Sequence, residues 1–146
     1  MTIRKATLND LEQLADLFDQ YRVFYRKDPN PNGCRKFLSE RISNNESEIF
    51  LAANSEHKAV GFVQLYPLFS STRMKRLWLL NDLYVIPESR NLGVGKMLID
   101  RAKELAAETG ACGLSLETEK SNETGNRLYP EMGFQLDMDH NYYYWS

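Results

Sequence analysis

Apolar side chains recur at helical spacing in the amino-terminal part of the chain. Thr7 and Asp10 have the spacing of a capping box, and the apolar positions after them repeat every three or four residues. This pattern predicts a first helix over about residues 8–26. The polar segment KDPNPNG then interrupts the helix, because proline and glycine favour turns, and a second helix is predicted over about residues 34–44.

Short runs rich in β-branched and aromatic residues follow, separated by polar, turn-like segments. Such runs are typical of strands, and their close spacing predicts an antiparallel meander. The predicted strands span residues 49–53, 60–66 and 77–86.

A polar loop and a helical pattern come after the third strand. The helix is predicted over about residues 95–109, and the next strand over 113–117. The segment SNETGNRLYPEMGF predicts a short helix that ends at its proline and glycine. The tail over 134–145 is expected to supply one or two more strands.

The order of these elements, α, α, β, β, β, α, β, α, β, predicts an α/β fold of the α+β type. A chain of 146 residues has the size of one domain, so we expect a single domain over residues 1–146. The unit over 77–117 has the layout of a βαβ crossover. Ligands of such sheets bind at the carboxyl ends of strands, so chemistry is expected in the loop before the third helix.

Composition removes several classes of function. The chain has 18 Lys+Arg against 20 Asp+Glu, a net charge of -2, and so lacks the basic excess of a nucleic-acid binder. Cys34 and Cys112 follow no metal spacing and predict neither a disulfide framework nor a zinc site. Neither a signal peptide nor an apolar run of about 18 residues is evident. We therefore expect a cytoplasmic protein with no metal and no nucleic-acid or membrane partner.

The loop over residues 88–96, ESRNLGVGK, carries the strongest chemical signal. Gly93 and Gly95 let the backbone approach a ligand closely, and the free N–H groups at the start of the following helix point into the same space. Arg90 and Lys96 flank this helix terminus. The expected ligand is a phosphate or pyrophosphate.

Two familiar phosphate motifs do not fit this loop. A P-loop needs glycine where Arg90 stands and Ser or Thr where Met97 stands. A dinucleotide-binding fingerprint needs Gly or Ala at the position of Leu98. Both motifs are therefore excluded.

A third motif does fit. Residues 90–95 read Arg-x-x-Gly-x-Gly directly after a strand, and Asn122 is followed seven residues later by Tyr129 and then by Gly133 and Phe134. These residues resemble the pyrophosphate motif and the Asn…Tyr…Gly-Phe segment of the GNAT superfamily of acetyl-CoA-dependent N-acetyltransferases. The order of elements agrees with that superfamily over nearly the whole chain.

The resemblance implies a GNAT fold, a mixed central sheet of about six to seven strands flanked by about four helices. It implies an enzyme that uses acetyl-CoA as co-substrate, needs no metal and acetylates a primary amine by direct attack in a ternary complex. The strand backbone before the loop would pair with the pantetheine arm, and the loop amides would hold the pyrophosphate. Asn122 would contact the pantetheine arm or serve as a helix N-cap. The implied cofactor-binding residues are Leu83, Tyr84, Val85, Arg90, Asn91, Leu92, Gly93, Val94, Gly95, Lys96 and Asn122.

Tyr129 is the implied catalytic acid. A tyrosine hydroxyl, with an ordinary pKa near ~10, stays protonated at neutral pH and can protonate the leaving CoA thiolate. The alternative is that its ring only packs against Leu128 and Phe134.

The catalytic base is less defined by the sequence. In the superfamily that the chain resembles, some members that acetylate polyamines carry an acid where this chain has Asn81, and Asp82 follows on the opposite face of the strand. Asn81 could hold a water, Asp82 could accept the proton or form a structural ion pair, or the amine could lose its proton to solvent. The sequence leaves all of these alternatives open.

The resemblance implies that the acceptor pocket is built mainly from the first two helices and the strands after them, so aromatic residues of the first helix would line it. Tyr21, Phe24 and Tyr25 suit a cationic amine through cation–π attraction, and residues 99–146 hold 9 acidic against 4 basic residues. A polyamine-like amine, another cationic amine, or a lysine or N-terminal amine of a peptide would be compatible. The alternative function is a CoA-binding sensor or pseudoenzyme without turnover.

Aromatic residues also crowd the end of the chain, over 142–145. A monomer of this size has little apolar surface to cover them. This excess suggests a homodimer.

Overall fold

The computed structural model describes residues 1–146, which form two compact units, Met1–Leu116 and Glu117–Ser146. The single domain expected from chain length stays a prediction. In chain order the elements are β1 (Thr2–Lys5), α1 (Leu11–Phe24), α2 (Pro31–Ser43), β2 (Glu48–Ala53), β3 (Ala59–Ser70), β4 (Lys75–Val85), α3 (Val94–Glu108), β5 (Leu114–Ser115) and α4 (Glu123–Glu131).

The first unit is built on one sheet with the strand order β1-β2-β3-β4-β5. Neighbouring strands are antiparallel except β4 and β5, which are parallel. The mixed α/β class and the meander of β2, β3 and β4 confirm the prediction. The prediction of six to seven strands is wrong, because the sheet has five.

The difference in strand count arises at the ends of the chain. β1 is absent from the predicted elements, and it pairs with β2 from Thr2 to Lys5. The tail, predicted to supply strands, forms none. There the Asp137 carboxylate accepts the backbone N–H groups of Asp139 at 2.9 Å and His140 at 3.1 Å. This local turn engages donors that a strand ladder would need.

The predicted capping box at the start of the first helix is present, but the α-helix itself begins later than predicted, at Leu11. Asp10 Oδ2 accepts the N–H of Thr7 at 2.9 Å, which completes the predicted capping box. Arg4 donates to both oxygens of Asp10, at 2.8 and 2.6 Å, and lowers the pKa of that carboxyl. A 3-10 turn over Leu8–Asp10 precedes α1. The helix stops before the predicted end, because Arg26 takes a left-handed φ of 66°.

The second helix begins earlier than predicted. Asn30 is its N-cap, with its side chain accepting the N–H of Gly33 at 3.0 Å, and Pro31 is its first residue. Proline is favoured at this position because its missing N–H has no helical partner there. Pro31, which was predicted to lie in the break between the two helices, is therefore the first residue of the second helix.

Strand β3 runs past its predicted end and β4 begins before its predicted start, so the two form a long hairpin. Their pairing extends from Gly61↔Val85 to Ser70↔Lys75. In contrast, β5 is shorter than predicted, since only Leu114 and Ser115 pair with β4.

Helices cover both faces of this sheet because strand residues alternate between faces. On one face, Ile49 and Leu51 pack in a cluster with Leu14 of α1 and Leu38 of α2. On the other face, the guanidinium of Arg101 of α3 lies 4.3 Å from the ring centroid of Phe50. Burying each such apolar side chain contributes roughly 1.5–3 kcal/mol. The core therefore fixes β2, β3 and β4 between the helices.

Candidate active site

A bulge in β4 shapes the candidate site. Asp82 lies opposite Gln64 and Leu80 lies opposite Leu65, so Asn81 is an extra residue without a partner in β3. A bulge bends its strand and changes which peptide groups face each neighbour. The last β4 residue paired with β5 is Leu79, just before this bulge. The bend therefore accounts for the short β5.

Beyond the bulge, one edge of β4 is open. The amide of Ile86 donates to Val60 O of β3 at 2.9 Å. Since peptide groups alternate in direction along a strand, those of Tyr84 also face β3, and those of Leu83 and Val85 face the opposite side. No strand pairs with β4 on that side after Leu79. Leu83 and Val85 thus direct backbone donors and acceptors to an edge that no strand pairs with, where Val85 O already accepts a hydrogen bond from Arg90.

The loop after β4 leads into the amino terminus of α3. Asn91 and Gly93 take left-handed φ values of 63° and 78°. A Cβ added at Gly93 would meet no atom within 4 Å, so this glycine is needed for its backbone angle and the space beside it is open. Val94, the first residue of α3, is buried. No side chain caps this helix terminus at Gly93, so its first amides are available to an anion.

The remaining residues of the predicted pyrophosphate loop lie around this turn. Leu92 and Lys96 are exposed, and Gly95 is half-buried. We refer to residues 91–96 as the cradle.

Arg90 is directed toward the end of β4. Its Nε donates to Val85 O at 2.9 Å. Its guanidinium carbon lies 5.6 Å from the ring centroid of Tyr84 and 5.8 Å from that of Phe24. This side chain therefore joins the loop, β4 and α1.

The aromatic residues of α1 that were predicted to line the acceptor pocket also reach β4. Tyr21 and Tyr25 have ring centroids 5.1 Å apart, and Phe24 and Tyr25 have theirs 5.2 Å apart. The Tyr21 hydroxyl lies 3.4 Å from Asn81 O. The structure thus places Tyr21 beside the bulge and Phe24 beside Arg90.

The two candidate bases differ strongly in environment. Asn81 is exposed, whereas Asp82 is 5% exposed. Asp82 accepts hydrogen bonds from Gln64 Nε2 at 2.7 Å and from Asn81 Nδ2 at 3.1 Å, and the nearby Tyr21 hydroxyl also lowers the pKa of its carboxyl. These three partners are neutral side chains.

Burial raises the pKa of Asp82, and the hydrogen bonds from Gln64, Asn81 and Tyr21 offset part of this effect. Nearby, burial and the negative charge of Asp82 raise the pKa of Tyr66 to about 12, against the opposing effect of Arg41. Tyr66 therefore stays protonated at neutral pH. A carboxyl with a raised pKa is better matched to accepting a proton near neutrality than an ordinary one.

The second unit holds the other predicted site residues. Asn122 is the N-cap of α4, since its Oδ1 accepts the N–H of Gly125 at 3.1 Å, and its Nδ2 donates to Thr118 Oγ1 at 2.9 Å. Tyr129 is half-buried, with its ring 5.8 Å from the ring of Phe134. Both alternatives from the sequence, the cap and the ring packing, are thus present in this unit.

Gln64 and Ser47 are functional candidates that the sequence alone does not single out. Ser47 Oγ donates to Gln64 Oε1 at 2.9 Å, which links both to Asp82. The sequence does contain a feature that could have identified Gln64, because this polar residue interrupts the apolar run of a predicted central strand. A polar residue at such a position needs buried hydrogen-bond partners.

The model of the Acetyltransferase (GNAT) family matches residues 11–134, from the start of α1 to beyond α4. The chain belongs to this family. The uncharacterized N-acetyltransferase YhfO of Bacillus subtilis (strain 168) is 43% identical to it over 137 residues, 94% of this chain and 91% of the relative. The spermidine N(1)-acetyltransferase of Thermoplasma acidophilum is 24% identical over 148 residues, 92% of this chain and 88% of the relative.

A solved structure gives the same result. The crystal structure of a probable acetyltransferase matches with a TM-score of 0.95 and 41% identity, covering 100% of this chain and 97% of that one. The GNAT fold and the acyltransferase class predicted from the sequence are confirmed. By its family, this chain is an N-acetyltransferase. GNAT proteins use acetyl-CoA as co-substrate.

Two further features describe this GNAT protein. No helix combines the length and the apolar character needed to span a membrane. No group of three or more His, Cys, Asp or Glu side chains is arranged to hold a metal ion.

The environment of Asp82 predicts an unusual dependence of stability on pH. Between the ordinary pKa of 3.8 and the raised value, the folded state binds more protons than the unfolded state, so stability falls as pH rises. The variant Asp82→Asn has no carboxyl to ionise. We expect its free energy of unfolding, relative to the parent protein, to increase as pH is raised above 3.8, as measured by urea unfolding.

Asp10→Asn is the matched control, and its free energy of unfolding relative to the parent should change with pH in the opposite direction. Arg4 lowers the pKa of Asp10, so the folded state gains stability as Asp10 ionises, and the variant should become less stable relative to the parent as pH rises. A free-energy difference for Asp82→Asn that stays constant over this pH range would contradict the prediction.

Proposed function

We propose that this protein transfers the acetyl group of acetyl-CoA to a primary amine of a cationic acceptor. The observation that carries the proposal is the open edge of β4 at Leu83 and Val85, which leads directly into the uncapped amino terminus of α3. An extended amide chain that ends in a pyrophosphate has the two kinds of groups that these features can bind. Acetyl-CoA has this chemistry.

Each part of the site has its own task in binding the co-substrate. The peptide groups of Leu83 and Val85 would hold the pantetheine amides as an added strand does. The amides of the cradle would hold the pyrophosphate at the positive end of α3. When bound, acetyl-CoA supplies an activated thioester. Asn122 would act through its position at the N-cap of α4, because both ends of its carboxamide already have partners.

Asp82 is the proposed base, with Tyr21 as the route to it. Asp82 is buried, whereas Tyr21 is half-buried, with its hydroxyl 3.4 Å from the backbone oxygen of the neighbouring Asn81 and close enough to lower the pKa of Asp82. An ammonium N–H would pass its proton to the Tyr21 oxygen as the Tyr21 hydroxyl proton moves to Asp82. This leaves a neutral amine, the form that can attack a carbonyl carbon.

Tyr129 is the proposed acid for the leaving group. As the new C–N bond forms and the C–S bond breaks, the Tyr129 hydroxyl would donate its proton to the thiolate. The proton that the new amide nitrogen sheds would restore Tyr129, so the products are the acetylated amine and free CoA thiol. The support is the spacing of Asn122, Tyr129 and Gly133-Phe134 in the sequence.

A cationic acceptor is supported by the surroundings of Tyr21. Tyr21, Phe24 and Tyr25 form a cluster of rings with negative faces, which attract cations. Phe24 is 51% exposed, so this cluster is accessible from solvent. One relative is named for spermidine, a polycationic amine. The proposed class includes polyamine-like amines and a lysine or N-terminal amine of a peptide.

The function is tested by release of CoA thiol from acetyl-CoA across a panel of amines and a control: spermidine, an aminoglycoside, a lysine peptide and an uncharged alcohol. We expect thiol release with at least one cationic amine and none with the alcohol. Acetyl-CoA binding without thiol release from any amine would contradict the proposal and favour a CoA-binding sensor.

A pair of variants links this activity to the cradle. Gly93→Ala and Gly110→Ala both place a side chain at a left-handed position, with φ of 78° and 66°, where the Cβ has open space. Their folding costs should be similar, about 1 kcal/mol. Only Gly93→Ala should weaken acetyl-CoA binding in calorimetry, because Gly110 lies outside the cradle at the carboxyl end of α3.

Replacing Tyr129 by Phe tests the proposed acid. The variant keeps the ring that packs on Phe134 and loses the hydroxyl. We expect kcat to fall by about a hundredfold, the lower range for losing a general acid, with little change in acetyl-CoA affinity. Tyr142→Phe, at a residue that is 80% exposed, is the control. An unchanged kcat in Tyr129→Phe would remove it from this role.

We also propose that the protein is a homodimer. Tyr142 is 80% exposed, and Tyr143, Tyr144 and Trp145 are each 92% exposed. So much contiguous aromatic surface is typical of an interface. Sedimentation should show a species of twice 17.0 kDa that dissociates when Tyr143 and Trp145 are both changed to Ser. A parent protein that sediments at 17.0 kDa at all concentrations would contradict this.

A further inference from the structure

Gln64 is the most deeply buried polar side chain near the site, with 0% exposure. It lies in the middle of β3, directly opposite Asp82 of β4. Its Nε2 donates to Asp82 Oδ2 at 2.7 Å. Side chains directly opposite one another in an antiparallel pair lie close together, so backbone pairing itself brings this amide to the carboxyl.

Ser47 fixes the orientation of that amide. The Ser47 hydroxyl, just before β2, donates to Gln64 Oε1 at 2.9 Å. A carboxamide accepts at one end and donates at the other, so this bond turns the NH2 group of Gln64 toward Asp82. The reversed amide would place its oxygen against the carboxylate and leave the Ser47 hydroxyl without this acceptor.

We propose that Gln64, held in orientation by Ser47, is a positioning residue that keeps the Asp82 carboxylate ready to receive the proton of the acceptor ammonium. The inference rests on the role proposed above for Asp82. Gln64 occupies Oδ2, whereas Oδ1 is bonded to the exposed Asn81. The carboxylate is thereby held with one oxygen toward the sheet interior and the other toward the exposed residue of the bulge.

The hydrogen bond from Gln64 acts on the pKa of Asp82 together with several neighbouring groups. Tyr21 of α1 lowers the pKa of Asp82, the charge of Asp82 raises the pKa of Tyr66 of β3, and Arg41 of α2 lowers that of Tyr66. Burial raises the pKa of Asp82, and the bond from Gln64 is the largest of the effects that lower it. Without Gln64, the pKa of Asp82 would be higher and more of the carboxyl would be protonated at a given pH, and a protonated carboxyl accepts no proton.

The test uses the full chain with Gln64→Met, which keeps the length of the side chain and removes both hydrogen bonds. The titration of the Asp82 carboxyl is followed by carbon NMR, and kcat/KM is measured against pH with the best amine of the panel. We expect the NMR midpoint of Asp82 and the acid limb of kcat/KM to move together to higher pH. Below the midpoint kcat/KM should fall about tenfold, the factor for losing one hydrogen bond to a charged group.

Two further variants make the result specific. Ser47→Ala should move both curves in the same direction by a smaller amount, because Gln64 stays but its amide is free to turn. Gln13→Met is the matched control. Gln13 Oε1 accepts the N–H of Ala59 at 2.8 Å, so this change also removes a glutamine hydrogen bond, but it should leave the Asp82 midpoint in place.

An Asp82 midpoint in Gln64→Met equal to that of the parent protein would overturn the inference. If Gln64→Met does not fold, the same comparison in Ser47→Ala decides, with an unmoved midpoint again counting against it. Failure of the proposed base is recognised separately, because it would appear as full turnover by Asp82→Asn. The NMR titration measures the effect of Gln64 on the Asp82 midpoint without any catalytic assay.

Discussion

The bulge at Asn81 is the constraint on which the rest of the site depends. One extra residue in β4 places Asp82 opposite Gln64 and turns the peptide groups of Leu83 and Val85 to the open edge. It also lies directly after the last pair between β4 and β5. The position of Asp82, the open edge and the separation of β4 from β5 therefore have one geometric origin. Removing the extra residue would disturb all three together, since a shift by one residue exchanges the faces of a strand.

Packing holds this irregular strand in place. β4 is paired with β3 over most of its length, and helices cover both faces of the sheet. A bulge in such a strand cannot relax by sliding, because sliding would expose buried side chains such as Trp78, Leu80 and Tyr84. Asp82 stays buried for the same reason. Its neutral donors compensate a charge that the surrounding core otherwise disfavours.

Elements with local causes could be predicted from the sequence. The capping box at Thr7 and Asp10 indicates the start of the first helical region, and the two glycines of the loop indicate the cradle. Features that depend on pairing between distant segments could not be predicted in this way. The bulge depends on the register of two strands, and the role of Gln64 depends on that register. The prediction for the tail is wrong because a strand-like pattern becomes a strand only where a neighbouring strand exists to pair with it.

The long hairpin of β3 and β4 has a consequence for how the site forms during folding. Its strands are joined by a turn over residues 71–74 alone, so closing it loses little chain entropy, whereas joining β4 to β5 closes a longer segment that includes α3. Hairpins of this kind form within microseconds in isolated systems. The contact between Gln64 and Asp82 belongs to this hairpin. Asp82 and Gln64 can therefore meet as soon as this hairpin closes, independently of the parallel strand.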